Sequence, residues 1–130
     1  MRERVVDARV ARLATLRADG RPHLVPICFA LDGDALYSAV DEKPKRSHGL
    51  LRLENIRRRP DVAVLVDDYE DDWTRLWWVR MDGTATVHEH GPEYQRGLEL
   101  LTVKYEQYRS ESPTGPVIAV RIDTWRGWKP

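Results

Sequence analysis

Three Asp-Gly dipeptides, Asp19-Gly20, Asp32-Gly33 and Asp82-Gly83, each stand between apolar or alternating runs. Such a pair is the strongest short-range hairpin signal, because aspartate tolerates and glycine readily adopts the positive φ that a tight two-residue turn requires. Three hairpins predict a largely antiparallel sheet. They join residues 11–17 to 22–31, that second run to 35–40, and 75–81 to 84–89. Residues 62–66 and 117–122 add two further strands.

The run 22–31 is informative about closure. His23, Val25, Ile27, Phe29 and Leu31 fall on one face of a strand, and Leu24, Pro26, Cys28 and Ala30 on the other. Neither face is polar. Burial on both sides suits a small barrel with one face inside and the other covered by a helix or a second subunit. Pro22 and Pro26 cannot donate to a ladder, which places parts of this strand at an edge, a bulge or a split.

Three helices fit between the strands. Residues 2–10 form a short opening one. Ser47 is an N-cap for a second, with Leu50, Leu53 and Ile56 at helical spacing and Pro60 ending it. A third opens at Pro92 and carries Tyr94, Leu98, Leu101, Tyr105 and Tyr108 along one face, a stripe that reads as core packing. The whole is a mainly β, α+β chain with a six- to seven-stranded antiparallel barrel and flanking helices. Its 130 residues match one domain, 1–130.

The 21 basic and 21 acidic residues cancel. This opposes binding to nucleic acid, which favours a broad positive field. Residues 1–10 lack the apolar core of a signal peptide, and no apolar run approaches the ~20 residues of a membrane span. With the single cysteine Cys28, no internal disulfide forms, and a soluble cytoplasmic protein is expected.

Locally the charges separate. Residues 41–59 hold seven cations against three anions, and residues 61–72 hold six carboxylates and no cation. The basic part begins with Asp-Glu-Lys-Pro-Lys-Arg, just after a strand. Pro44 pushes Lys43 toward an extended conformation, where Lys43 and Lys45 share a side. The helix start expected at Ser47 adds free N–H groups and a positive dipole end. Lys43, Lys45 and Arg46 together suit a phosphate.

The order of strand ARLATL, strand PHLVPICFAL, turn LDGDALYSAV, basic DEKPKR, helix LLRLENIRRRP and strand VAVLVDDY resembles the pyridoxamine 5'-phosphate oxidase-like superfamily. The later DDWTRLWWVRMDGTATV and DTWRGW are similar to its actinobacterial branch, whose members use the deazaflavin coenzyme F420. The resemblance covers essentially the whole chain. It implies a split β-barrel homodimer with cofactor sites at the subunit interface. The cofactor's phosphate would be held by Lys43, Lys45 and Arg46, and its ring would lie against Val25, Pro26 and Ile27 and against Ser38 and Ala39. The stretch 73–78 of the partner chain would cover it.

That stretch carries its own signal. Trp77 and Trp78 are adjacent in a strand, so one faces outward, as an interface anchor or as ordinary packing. Arg75, placed on the face of Trp77, would reach an anionic tail or pair with the acidic run. His88-Glu89-His90 offers two histidines on one strand face but no third ligand, and no metal is expected. No nucleophile motif, paired cysteines or Gly-rich phosphate loop occurs, and no catalytic residue can be named.

Three functions remain open on these residues. The first is an F420-dependent oxidoreductase transferring a hydride between the reduced deazaflavin and a small organic substrate. The second is a flavin mononucleotide (FMN) enzyme on the same fold, and the third is a non-enzymatic F420 or flavin carrier.

Overall fold

The computed structural model describes residues 2–40 and 47–130. The segment 41–46, with Lys43, Lys45 and Arg46, lies outside the described residues.

The chain runs α1 (Arg2–Asp7), β1 (Ala11–Leu16), β2 (Pro22–Ile27), β3 (Ala30–Asp32), β4 (Ala35–Ala39), α2 (Ser47–Arg58), β5 (Asp61–Asp68), β6 (Trp77–His88), α3 (Pro92–Lys104), α4 (Glu106–Ser110) and β7 (Val117–Trp128). A short 3-10 turn covers Trp73–Arg75. The strands form one seven-stranded sheet in the order β2-β1-β5-β6-β7-β4-β3, with every neighbouring pair antiparallel. No helix among the described residues is long and apolar enough to cross a membrane.

This order has a geometric consequence. β2 and β3 stand at opposite edges of the sheet, yet only Cys28 and Phe29 separate them in the chain. Three virtual bonds of 3.8 Å hold Ile27 and Ala30 within about 11 Å, so the sheet must curl until its two edges meet. The barrel is closed by the covalent chain instead of by a ladder. The expected strand 22–31 is therefore two strands, broken at Cys28 and Phe29. Both prolines of the run sit in β2, an edge strand, where a missing donor is tolerated.

Two of the three expected hairpins form. Gly20 and Gly33 take φ of 88° and 62° at the β1–β2 and β3–β4 turns. The third does not: β6 passes straight through Asp82-Gly83, laddered to β5 on one side and to β7 on the other. Gly83 serves close approach instead. A Cβ there would collide with the Arg121 carbonyl, beside a bulge in the β6–β7 register.

Alternation sorts the side chains into two cores. Leu13, Ile27, Phe29, Leu36, Val64, Val66, Met81, Ile118 and Val120 fill the barrel, plugged by Val5 of α1 and by Leu53 and Ile56 of α2. Each fully buried Leu, Ile, Phe or Met contributes about 1.5–3 kcal/mol. On the outer side of β4 and β7, Tyr37, Ala39, Val117 and Ala119 pack beneath Leu101, Tyr105 and Tyr108. The apolar stripe of the third helix is core, as its spacing predicts. That helix is broken, however: Tyr105 adopts an extended backbone (φ −113°, ψ 118°), which separates α3 from α4. The opening helix also ends early, at Asp7.

Candidate cofactor and ligand site

The helices cover only half of the sheet's outer side. Above β3, β4 and the first half of β7 lie α3 and α4. Across β2, β1, β5 and the first half of β6, the outward positions carry Leu24, Pro26, Ala14, Leu16, Ala63, Leu65 and Trp78, interspersed with Arg12, Arg80 and Asp82, and no helix of the described residues lies over them. Leu24 is 65% exposed. The absence of a polar face in the run 22–31 thus has a structural counterpart: the β2 side of the uncovered face is apolar, and its charges, Arg12, Asp67, Arg80 and Asp82, stand in ion pairs further across the sheet.

One end of this face is built differently. Register sets Asp67 opposite Trp78 and Trp78 opposite Trp128, so a carboxylate and two indoles form a row across three strands. Together with Leu65, Asp68, Tyr69, Leu76, Trp77 and Arg80 they line a cleft of about 390 Å³. Arg12 Nη1 lies 3.7 Å from Asp67, and Arg80 Nε lies 3.1 Å from Asp82. Asp68 has no ion pair among the described residues.

The acidic loop beside the cleft is ordered by its own side chains. The Thr74 hydroxyl and N–H donate to the Asp72 carboxylate at 2.7 and 3.1 Å, and these bonds hold its pKa below the usual range. Arg75 sits in the 3-10 turn, not in the strand of Trp77, and its Nε lies 3.3 Å from Glu70. The pairing with the acidic run is the alternative that forms.

The other expected site residues separate by face. Val25 and Ile27 point into the barrel while Pro26 points outward. Ser38 is buried toward the interior, its Oγ without a hydrogen-bond partner among the described residues. Ala39 lies in the core beneath α3 and α4. Trp77 is buried inside and Trp78 lies half-buried outside, as adjacency requires. Pro26 and Trp78 therefore share the bare face, three strands apart and offset by two residues in register. Ser38 and Ala39 do not. His88 Nε2 lies 2.8 Å from Thr86 Oγ1, and no group of three potential metal ligands occurs among the described residues.

A polar cluster at the split escaped the sequence reading. The Phe29 N–H donates to the Tyr105 hydroxyl at 3.0 Å, and that hydroxyl's proton is shared between the carbonyls of Arg9 (3.0 Å) and Phe29 (3.1 Å). Lys104 Nζ lies 3.8 Å over the Phe29 ring, buried and without a hydrogen-bond partner among the described residues. Burial first, and then the Arg9 charge, bring its pKa down to about 8, against opposing pulls from Cys28 and Asp7. The only signal in the sequence was the place of Tyr105 on the α3 stripe. A second cluster joins α2 to β1: Asn55, fully buried, donates to Thr15 Oγ1 at 3.0 Å and accepts from Arg58 at 2.9 Å.

A seven-stranded antiparallel sheet closed only by the covalent link between its edge strands defines a split β-barrel. The family model described as pyridoxamine 5'-phosphate oxidase matches residues 1–129, and the chain belongs to that family of flavin-binding split barrels, which includes oxidases. Among solved structures, a conserved hypothetical protein of Mycobacterium tuberculosis is similar with a TM-score of 0.76 at 22% identity, over 96% of this chain and 79% of that one. An FAD-binding protein of Mesorhizobium loti gives 0.69 at 23% identity, over 97% of this chain and 89% of that one. A heme-binding protein of Mycobacterium smegmatis gives 0.75 at 20% identity, over 95% of this chain but 50% of that one. These likenesses establish the shared fold. None of the curated proteins compared with the chain matches it.

Proposed function

We propose that the protein is an oxidoreductase that binds coenzyme F420 at the interface of a homodimer and transfers a hydride between it and a small organic substrate. The observation that carries this reading is the bare half of the barrel. A folded chain whose uncovered side presents Leu24, Leu65 and Trp78 has apolar surface to bury against a flat ring system and a second copy. The charge distribution orients the ligand. At the Trp78 end Arg12 offsets Asp67 and the Asp68 carboxylate disfavours a phosphate, whereas Lys43, Lys45 and Arg46 would attract one to the connection between β4 and α2.

A reduced deazaflavin supplies hydride from its own ring, so the protein's part is to bind, orient and exclude water. Pro26 and Leu65 would give the ring an apolar floor, and Trp78 would flank it. Arg75, held by Glu70, is left out of the phosphate set. Arg57 pairs with Glu89 and Arg58 with Asn55, so the basic residues that favour F420 with its anionic tail over FMN are Lys43, Lys45 and Arg46, three cations within four residues where one terminal phosphate requires fewer. FMN remains the second reading, because the family is one of flavin-binding barrels.

Calorimetric titration of the wild type and of Lys43→Ala with Lys45→Ala tests the assignment. F420 should bind more tightly than FMN. Each lost lysine should weaken binding by roughly ten- to a hundredfold, with the unliganded protein's melting temperature nearly unchanged. A preference for FMN would promote the second reading. Hemin binding with neither F420 nor FMN bound would overturn both.

A further inference from the structure

We infer that the cleft at the Trp78 end is a binding site for a small organic cation, an alkylammonium head group, separate from any phosphate site. Three features converge there. Trp78 and Trp128 stand side by side by register, and Tyr69 completes an aromatic wall. Indole and phenol faces attract cations through their quadrupoles, and more strongly where water is partly excluded. Asp67 and Asp68 add two carboxylates at the rim.

The charges within reach decide the sign of the ligand. Arg80 lines the cleft, but both oxygens of Asp82 accept from its Nε at 3.1 and 3.3 Å, so its charge is answered on the spot. Arg12 lies 3.7 Å from Asp67 and offsets that carboxylate in part. Asp68 has no ion pair among the described residues; Arg4, Arg75 and Lys129 line the adjoining pocket with it, but Arg75 is held by Glu70 at 3.3 Å and none of the three lines this cleft, which keeps a carboxylate without an ion pair beside its aromatic walls. An anion would meet that charge, and an uncharged ligand would leave it unused. An alkylammonium ion satisfies both the rings and the carboxylate. The volume of about 390 Å³ admits such a head group with a short apolar body.

The inference rests on the cleft and does not depend on the cofactor assignment. If both hold, the cation is the charged end of the substrate.

Choline is a suitable probe, with 3,3-dimethylbutan-1-ol as its uncharged isostere. Titrations followed by tryptophan fluorescence, in the absence of any flavin or F420, should show saturable choline binding at least about tenfold tighter than the isostere. Asp68→Asn should weaken choline by about five- to tenfold and leave the isostere unchanged. Trp128→Leu should weaken choline with circular dichroism unaltered. Equal affinity for the two probes, or choline binding indifferent to Asp68→Asn, would overturn the inference. So would choline affinity that falls as the protein is concentrated, because a second copy would then be filling the cleft. Failure of these titrations leaves the F420 titration untouched, so the two readings fall separately.

Discussion

The hydroxyl of Tyr105 sits on the backbone of Phe29, accepting from its N–H at 3.0 Å and lying 3.1 Å from its carbonyl oxygen. Phe29 belongs to neither β2 nor β3, so no ladder satisfies its buried backbone. The tyrosine takes that place from 76 residues further along the chain. A buried amide left without a partner costs about 1–3 kcal/mol. Tyr105→Phe keeps the ring and removes only the bond, and should lower unfolding free energy in urea by that amount. An unchanged midpoint would show that the split is held by packing alone.

Lys104 makes stability depend on pH. Its amine titrates near 8 in the folded chain against 10.5 ordinarily, so between those values the unfolded chain binds more protons. Stability should therefore rise as pH climbs from 8 toward 10.5, and the whole penalty is present below 8. Lys104→Met should stabilise the protein at pH 7 by on the order of 1 kcal/mol, after allowing for solvent screening of a half-exposed group. It should also flatten the rise. Parallel urea series at pH 7 and pH 10 test both, and a variant that loses stability at pH 7 would contradict the assignment.

Gly83 should tolerate no side chain. A Cβ there would meet the backbone carbonyl of Arg121 and come within 3.0 Å of Val120 Cγ1. Gly83→Ala is expected to cost about 1–3 kcal/mol, the range of overpacked sites. Were Asp82-Gly83 a hairpin tip, the same change would be mild.

The bare face predicts the state of assembly. Wild-type protein should sediment as a dimer at micromolar concentration, and Leu24→Glu should shift it toward monomer. Leu24 is 65% exposed in the single chain, so that variant's melting temperature at low concentration should move little. A wild-type monomer that still binds F420 tightly would remove the shared-site reading.

The sequence by itself determined what is set within a few residues. The alternation of Val25 and Ile27 with Leu24 and Pro26, the turns at Gly20 and Gly33, and the stripe from Tyr94 to Tyr108 each follow from backbone sterics or a residue period, and the structure repeats them. Opposite faces for Trp77 and Trp78 follow from adjacency alone. What the tertiary structure decided depends on groups far apart in the chain. The turn preference of Asp82-Gly83 is a weak local term, overridden by ladders to β5 and β7 on both sides. The break at Cys28 and Phe29 needs the two sheet edges to meet, and no local pattern encodes that. Arg75 chose Glu70 because the 3-10 turn removed it from the strand. Trp128 gained its place beside Trp78 only through the β6–β7 register. Local rules sort residues by face. Which faces meet, and which one stays bare, depends on the closure of the whole barrel.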